Sequence, residues 1–556
     1  MSGVKLHYDG IAVGSNDSFE LSAYLTPTAP FSSAKEVTKR DATYENYGFP
    51  TEPHSVLLDG SVSAMPRISM TGQNIGFWSN EKTDEEGNFS NELTLIAEAE
   101  ELFTSAGITF FFDVEKNIFP TEMTITWLQD LVVRARETYY PDRAVFVCQN
   151  KVEYFNRVQI KISSLNMPNK RFWLQKILFG LEVEFTSQTL KNAKITQAFN
   201  PSSSTLPIGT FDFTITSKDI EFVFERKQSV EVFFDDEKKG HFYIKKGTQK
   251  GRDTYSVNCE DVVSFLEDTI YNGNIYNETN AAYVIRDICT RAGVPVKIDA
   301  FFENQYVITG HIPRTTCREA LQQVIFVLDA TAMVENDYIA IKKSERSQQP
   351  THISQNRIMS GVTITEDERF TELLVTEHSY LLKAEEEILY DAKESGSGER
   401  IELTFSEPKG NYRLLNGDFI EWSANHVIFS ANENSVLYGK SYVHNTKIHS
   451  RHNEFALKSD KNVSLTVDNV TLVNSKNIDN VMTRCYNYYK KNRKISAKVV
   501  EGKKEDGEGG FIYDQKISMG DNIALDIDYG ENVSGVVEKQ AFHLNGGILV
   551  KEITLR

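Results

Sequence analysis

Residues 211–217 read FDFTITS, and Phe211, Phe213 and Ile215 alternate with Asp212, Thr214 and Thr216. A period of two puts one face of an extended segment in a core and the other in water. The pattern continues C-terminally. Ile220–Phe224, Val230–Phe234 and His241–Lys245 read as further strands, and the run from Asp235 to Gly240 (DDEKKG) reads as a hairpin turn. On the N-terminal side the same alternation recurs in GITFFFD (107–113), MTITW (123–127) and VQIKIS (158–163), separated by turn-rich loops such as Glu115–Pro120. Many short strands at such spacing predict a β-sandwich or jelly roll over 51–183 and a second β-rich block over 184–275.

Beyond this the periodicity changes. Ala281, Val284, Ile285 and Ile288 fall at i, i+3, i+4 and i+7, with Asn280 as N-cap and Gly293-Val-Pro295 as the stop. A strand at Tyr306–Thr309 follows. Then Thr316-Cys-Arg-Glu319 reads as a capping box ahead of a stripe of Leu321, Val324, Ile325 and Leu328. A strand at Tyr338–Lys342 closes this unit, so 276–350 reads as a small α/β domain. Residues 351–476 return to β, with Val463, Leu465 and Val467 alternating. Over 477–556 one helix, with Ile478, Val481, Met482, Cys485 and Tyr489 on one face, precedes terminal strands. Residues 1–50, polar and interrupted by Pro27 and Pro30, read as an extended arm.

The chain of 556 residues exceeds what a single core supports, so several domains are expected. A net charge of −18 disfavours a protein built to grip nucleic acid. It suits either solubility alone or a wall past which DNA slides without adhering. The five cysteines, Cys148, Cys259, Cys289, Cys317 and Cys485, are far apart and form no CxxC pair. They fit neither a disulfide framework nor a zinc site, and free thiols agree with assembly in a reducing cytoplasm. No signal peptide and no run of roughly 20 apolar residues is present, so no membrane span is expected.

Chemistry is sparse. GxSxG, GxxxxGK[ST], HExxH and GxGxxG do not occur, and no carboxylate pair stands out, so no catalytic residue, cofactor or metal is assigned. His444, His449 and His452 offer imidazoles for zinc, but an extended segment sends His449 to the opposite face, and exposed histidines on a strand and turn are the preferred reading. Asp84, Glu85, Glu86 and Asn88 surround Gly87 without EF-hand spacing and read as a solvated acidic loop rather than a Ca²⁺ site. Phe77 and Trp78, in GQNIGFWSNE (72–81), are candidate sugar contacts, against the alternative of core aromatics. The basic patch Lys490-Lys491-Asn-Arg493-Lys494 reads as a helix end or partner contact.

Three stretches occur in order: YSVNCEDVVSFLE (255–267), AAYVIRDICTRAGV (281–294) and GHIPRTTCREALQQVIFVLDA (310–330). Behind them come a helix with Tyr486, Tyr488 and Tyr489, the pair Gly520-Asp521, Val533–Glu538 and Gly546–Leu555. In this order they resemble the baseplate hub or tail-tip proteins of long-tailed phages and phage-tail-like particles, over roughly 185–556. The N-terminal segments, with MPNKRFWLQKILFG (167–180), resemble a galactose-binding-like jelly roll inserted into such hubs.

The resemblance implies a mainly β, multidomain chain: tail-tube-like β-barrel hub domains over 184–275 and 351–476, the small α/β domain, and the jelly roll at the N-terminus. It implies a non-enzymatic homotrimer at the tail tip of a virion or contractile injection system. Its expected partners are the tail tube protein, distal tail or baseplate proteins, and a spike or tape-measure protein. DNA would pass through the lumen without specific binding during genome ejection. The alternative is a carbohydrate-binding tail-tip adhesin.

Overall fold

The computed structural model describes residues 4–24, 77–198, 205–218, 221–303, 305–335, 337–343, 349–391, 398–490, 492–500, 502–505, 511–514, 517–527, 532–545 and 548–556. The protein is mainly β, with strands in several antiparallel sheets and a minority of short helices. Two compact units arise. One comprises 1–191, 213–239 and 243–259; the other comprises 192–212, 240–242 and 260–556.

The first unit holds a six-stranded sheet built on two long strands, Asn88–Phe111 and Val145–Leu165. The Pro120–Gln129 strand lies against Val145–Leu165, and Val132–Tyr139 forms the edge beyond it. MTITW and VQIKIS lie on these strands, GITFFFD runs just past the end of the first at Phe111, and their alternating residues build one core. Ile108, Phe110, Phe112, Met123, Ile125, Trp127, Val158 and Ile160 are each at most 1% exposed. The 24-residue strand contains a polar stretch, Glu98–Leu102, that alone reads as a loop. Register shifts between Glu98 and Gly107 absorb it, and the strand resumes its buried face afterwards.

The segment 4–11, read as the start of an extended arm, is a strand. It pairs antiparallel with Gly180–Phe185 on one side and Ser229–Phe234 on the other. The reason is its own alternation: Val4, Leu6 and Tyr8 are buried. The Tyr8 hydroxyl donates to the Gln228 Oε1 at 2.7 Å, and the Gln228 amide donates to the Ile11 carbonyl at 3.1 Å. The remainder of that arm, from 25 to 50, lies outside the described residues.

Two local expectations change. The hairpin after Phe234 turns on only Asp235 and Asp236, at φ 51° and 63°, and the next strand begins at Glu237. Asp tolerates this left-handed pair, which a two-residue hairpin turn demands. Residues 221–224 are irregular rather than a strand. The Val223 carbonyl accepts from the Tyr8 hydroxyl at 2.9 Å, while Phe222 and Phe224 pack on Tyr8 and Tyr255. The alternation there marks one buried and one half-buried ring, not a paired ladder.

In the second unit, the strands Leu190–Ala198, Asn532–Asn545, Ile548–Leu555, Arg493–Val500 and Ile358–Glu366 lie side by side in that order. Ile353, Ile495, Val499, Ile523, Leu525, Val537, Ile553 and Leu555 form a core there. A second core joins the helix Ile478–Tyr489 to the strand Glu372–Leu382 through Phe370, Leu373, Val375, Val481, Cys485 and Tyr486. The 27-residue strand His426–His452 serves two sheets. Its C-terminal part pairs with Glu372–Leu382, and its N-terminal part pairs with 387–391, 399–404 and 409–422 around Val427, Phe429, Ala431 and Leu437. Among the described residues no helix is long and apolar enough to cross a membrane.

Candidate functional site

The helices of the stretches that carry the resemblance to tail hubs lie in the second unit and form for local reasons. Asn280 caps Ala281–Arg291, its side chain accepting from the Tyr283 N–H at 2.9 Å. The helix ends with Gly293 at φ 65°, the Val294 N–H returning to the Cys289 carbonyl at 2.9 Å and the Gly293 N–H to Thr290 at 3.0 Å. This is the doubly bonded stop that a glycine with positive φ permits. Thr316 caps Cys317–Leu328 by accepting from the Glu319 N–H at 3.2 Å. Only half of the capping box forms, because the Glu319 carboxylate binds the Thr315 hydroxyl instead of reaching back to the cap.

The C-terminal end of that helix is closed by a partner far along the chain. Arg484, on Ile478–Tyr489, donates to the Phe326 carbonyl at 2.6 Å and pairs with Asp329 at 3.3 Å. A cation at a helix C-terminus meets its unpaired carbonyls and the negative end of its dipole. On the other side Gln323 receives the Thr471 N–H and hydroxyl, and Asn474 donates to the Thr309 carbonyl at 2.8 Å. Gly310, at φ 138°, lies so close that a β-carbon would be 3.0 Å from the Thr471 carbonyl oxygen.

At this junction four rings line up. His378 Nδ1 and His444 Nε2 are 2.9 Å apart. Tyr380 stacks on His444 with centroids 4.5 Å apart and planes at 9°. His311 meets the other side of Tyr380 edge-on at 5.3 Å, and its Nε2 lies 2.7 Å from the Asn425 Oδ1. The Asn425 amide donates to the carbonyls of Phe405 and Ser406, so its oxygen faces the histidine and His311 carries the Nε2 proton. Burial pushes the His311 and His378 pKa values below the usual imidazole range.

The remaining candidates fall apart spatially. His444, His449 and His452 share one strand, but His449 turns to Glu377 at 2.7 Å, away from His444. No group of three metal-ligating side chains occurs among the described residues. The Asp84 loop closes on itself: Asp84 Oδ1 accepts from the N–H groups of Glu86 and Asn88, and Gly87 takes φ 88°. Lys494 of the basic patch pairs with Asp367 at 2.7 Å, and Arg556 joins the same carboxylate at 3.3 Å. Phe77 and Trp78 lie on the strand Phe77–Lys82, where Trp78 is in register with Trp173; their side chains lie outside the described ones. All five cysteines are buried, and none forms a disulfide. The ring column itself escaped sequence reasoning, because pairing joins only 372–382 to 442–452, and His311 and Asn425 reach it by packing and side-chain contacts between segments far apart in sequence.

No protein-family model and no curated protein matches the chain. Solved structures similar to it include tail proteins. The 43 kDa tail protein of prophage MuSo2 from Shewanella oneidensis aligns over 67% of this chain and 95% of its own, at 11% identity and a TM-score of 0.41. A tail protein from Neisseria meningitidis aligns over 67% and 93%, at 14% identity and a TM-score of 0.41. A prophage tail protein from Listeria monocytogenes EGD-e aligns over 67% and 90%, at 9% identity and a TM-score of 0.35.

Proposed function

We propose that the chain is a structural, non-enzymatic hub of a phage tail baseplate or tail tip. On this reading it acts as a homotrimer, joins the hexameric tail tube to the spike or fibres, and forms part of the conduit for genome ejection. The observation that carries the reading is the placement of the hub-like stretches. The helices Ala281–Arg291, Cys317–Leu328 and Ile478–Tyr489 and the terminal strands Asn532–Asn545 and Ile548–Leu555 all belong to one compact unit. The net charge of −18 suits a lumen to which phosphate does not adhere.

Light scattering of the purified chain across a concentration series tests this. A mass of three times 63.2 kDa supports the hub. A persistent monomer that also fails to join purified tail tubes overturns it.

A second reading, a carbohydrate-binding adhesin, draws on the cross-strand register of Trp78 and Trp173. Aromatic rings are the side chains on which sugar rings stack. Glycan-array binding by the full chain, lost in Trp78→Ala, supports it. No binding at all removes it.

A further inference from the structure

We propose that the column His378–His444–Tyr380–His311, with Asn425, is an acid-sensitive clamp. At neutral pH it holds the strand Val307–Ile312 and the 405–426 segment against the strand pair 372–382/442–452. Acid releases it.

The geometry requires one donor and one acceptor between the two facing nitrogens. A 2.9 Å separation between His378 Nδ1 and His444 Nε2 holds a single proton, one imidazole donating and the other accepting. Placing a proton on both facing nitrogens sets two N–H groups against each other and breaks the contact. His378 is 6% exposed, and burial outweighs the hydrogen bond it makes with the Asp468 backbone, so a positive charge on this ring is poorly solvated. His311 is 4% exposed and already uses Nε2–H on Asn425, so protonation charges a ring locked in a buried bond. His444, by contrast, is exposed, so the buried side of the contact is His378. It is the protonation of His378 and His311 that opens the column.

The surrounding charges do not neutralise these rings. Asp468 faces His378 from the loop after Ser464–Val467, and Glu407 faces His311 and Tyr380 from the loop before Lys409–Trp422. Both attract a proton, yet burial outweighs them at each histidine. The fourth ring, Tyr380, is a neutral spacer whose own pKa is raised by burial. The sign follows: the unfolded or opened segment binds protons that the closed column refuses. The closed form therefore loses stability as pH falls below the ordinary histidine range.

The experiment is hydrogen exchange of the full chain, read by peptide mass at about pH 7.5 and about pH 5, with rates corrected for intrinsic exchange. Expected is faster exchange at acid pH in peptides covering 307–312, 372–382 and 405–426, by up to roughly tenfold per pH unit for each proton taken up on opening. The double variant His311→Asn, His378→Phe should lose this acid response. An equal acid response in the variant, or acceleration spread evenly over both compact units, overturns the clamp. Should the variant fold poorly, ring-carbon NMR of the wild type decides. Two histidines titrating below the usual range as the exchange accelerates support the clamp, and all histidines titrating normally exclude it.

Discussion

Gly107 stands so close to Cys148 that a β-carbon on it would lie 2.1 Å from the Cys148 carbonyl oxygen. The two sit on neighbouring strands, at the end of the bulged stretch where register resumes with Gly107 opposite Gln149 and Ile108 opposite Cys148. The glycine is required here by proximity of backbone to backbone, not by an unusual φ. Gly107→Ala is expected to destabilise the first unit by roughly 1–3 kcal/mol or more, since neither ladder can shift without displacing Phe110 and Phe112. Gly251→Ala is the comparison. It meets nothing within 4 Å and carries only the strain of φ 77°, on the order of 1 kcal/mol. Thermal denaturation of both variants checks the contrast.

Core truncation should separate equally well from surface truncation. Phe112 is 0% exposed and contacts Phe110 and Phe172, so Phe112→Ala is expected to cost about 3–5 kcal/mol. Leu131, at 81% exposure on the turn before the edge strand, should tolerate serine within about 0.5 kcal/mol. Denaturant midpoints followed by fluorescence of the buried Trp127 report the difference.

The two capped helices offer a local test. Asn280→Ala and Thr316→Ala each remove the acceptor for an N–H in the first turn and should cost about 1 kcal/mol apiece. Asn280 also donates to the Glu303 carbonyl at 2.9 Å, so its loss should be the larger. Asn280→Asp, which keeps the acceptor and drops the donor, should recover most but not all of the stability. Chemical denaturation of the three variants measures this.

Asp261 predicts a pH effect of opposite sign to the histidine column. It is buried where it accepts the N–H groups of Gly209 at 2.7 Å and Val263 at 3.1 Å, and burial pushes its pKa up to about 7 despite both donors. A carboxyl that is more basic folded than unfolded stabilises the fold fully below its unfolded pKa. That contribution is lost as pH rises through about 7. Asp261→Asn should therefore flatten the stability profile between about pH 5 and pH 8 and leave the acid response of 307–312 intact. An unchanged profile in the variant rejects this assignment.

The thiols should be inert. Cys289 and Cys317 are pushed up to about 12 and about 11 by burial, and Cys148 is raised further. Since the thiolate is the nucleophile, iodoacetamide at about pH 8 should modify none of the five cysteines in the native protein and all of them in denaturant. Intact mass before and after unfolding gives the count.

Which of these features the sequence announces depends on how local their causes are. FDFTITS, GITFFFD and VQIKIS declare themselves because alternation is a property of the segment, and the caps at Asn280 and Thr316 because they act within one turn. The strand Val4–Ile11 hid behind the polar run that follows it, although its own alternation was present. The 24-residue strand hid behind Glu98–Leu102, whose polarity is reconciled with a sheet only by bulges against a distant partner. The ring column was least visible of all, since its members lie at 311, 378, 380, 425 and 444, and only one strand pairing joins any of them. A lone buried histidine leaves no mark in a sequence.

The strand His426–His452 has a mechanical consequence. Its hydrogen bonds to both sheets run across the chain direction, so tension applied along it loads the two ladders in shear. Many bonds must then yield together, whereas a hairpin pulled from its open end peels one bond at a time. One uninterrupted backbone thus transmits a pull from one sheet to the other, with the ladders resisting as a set. A protein suspended between other parts of a machine would have in this strand its tie rod.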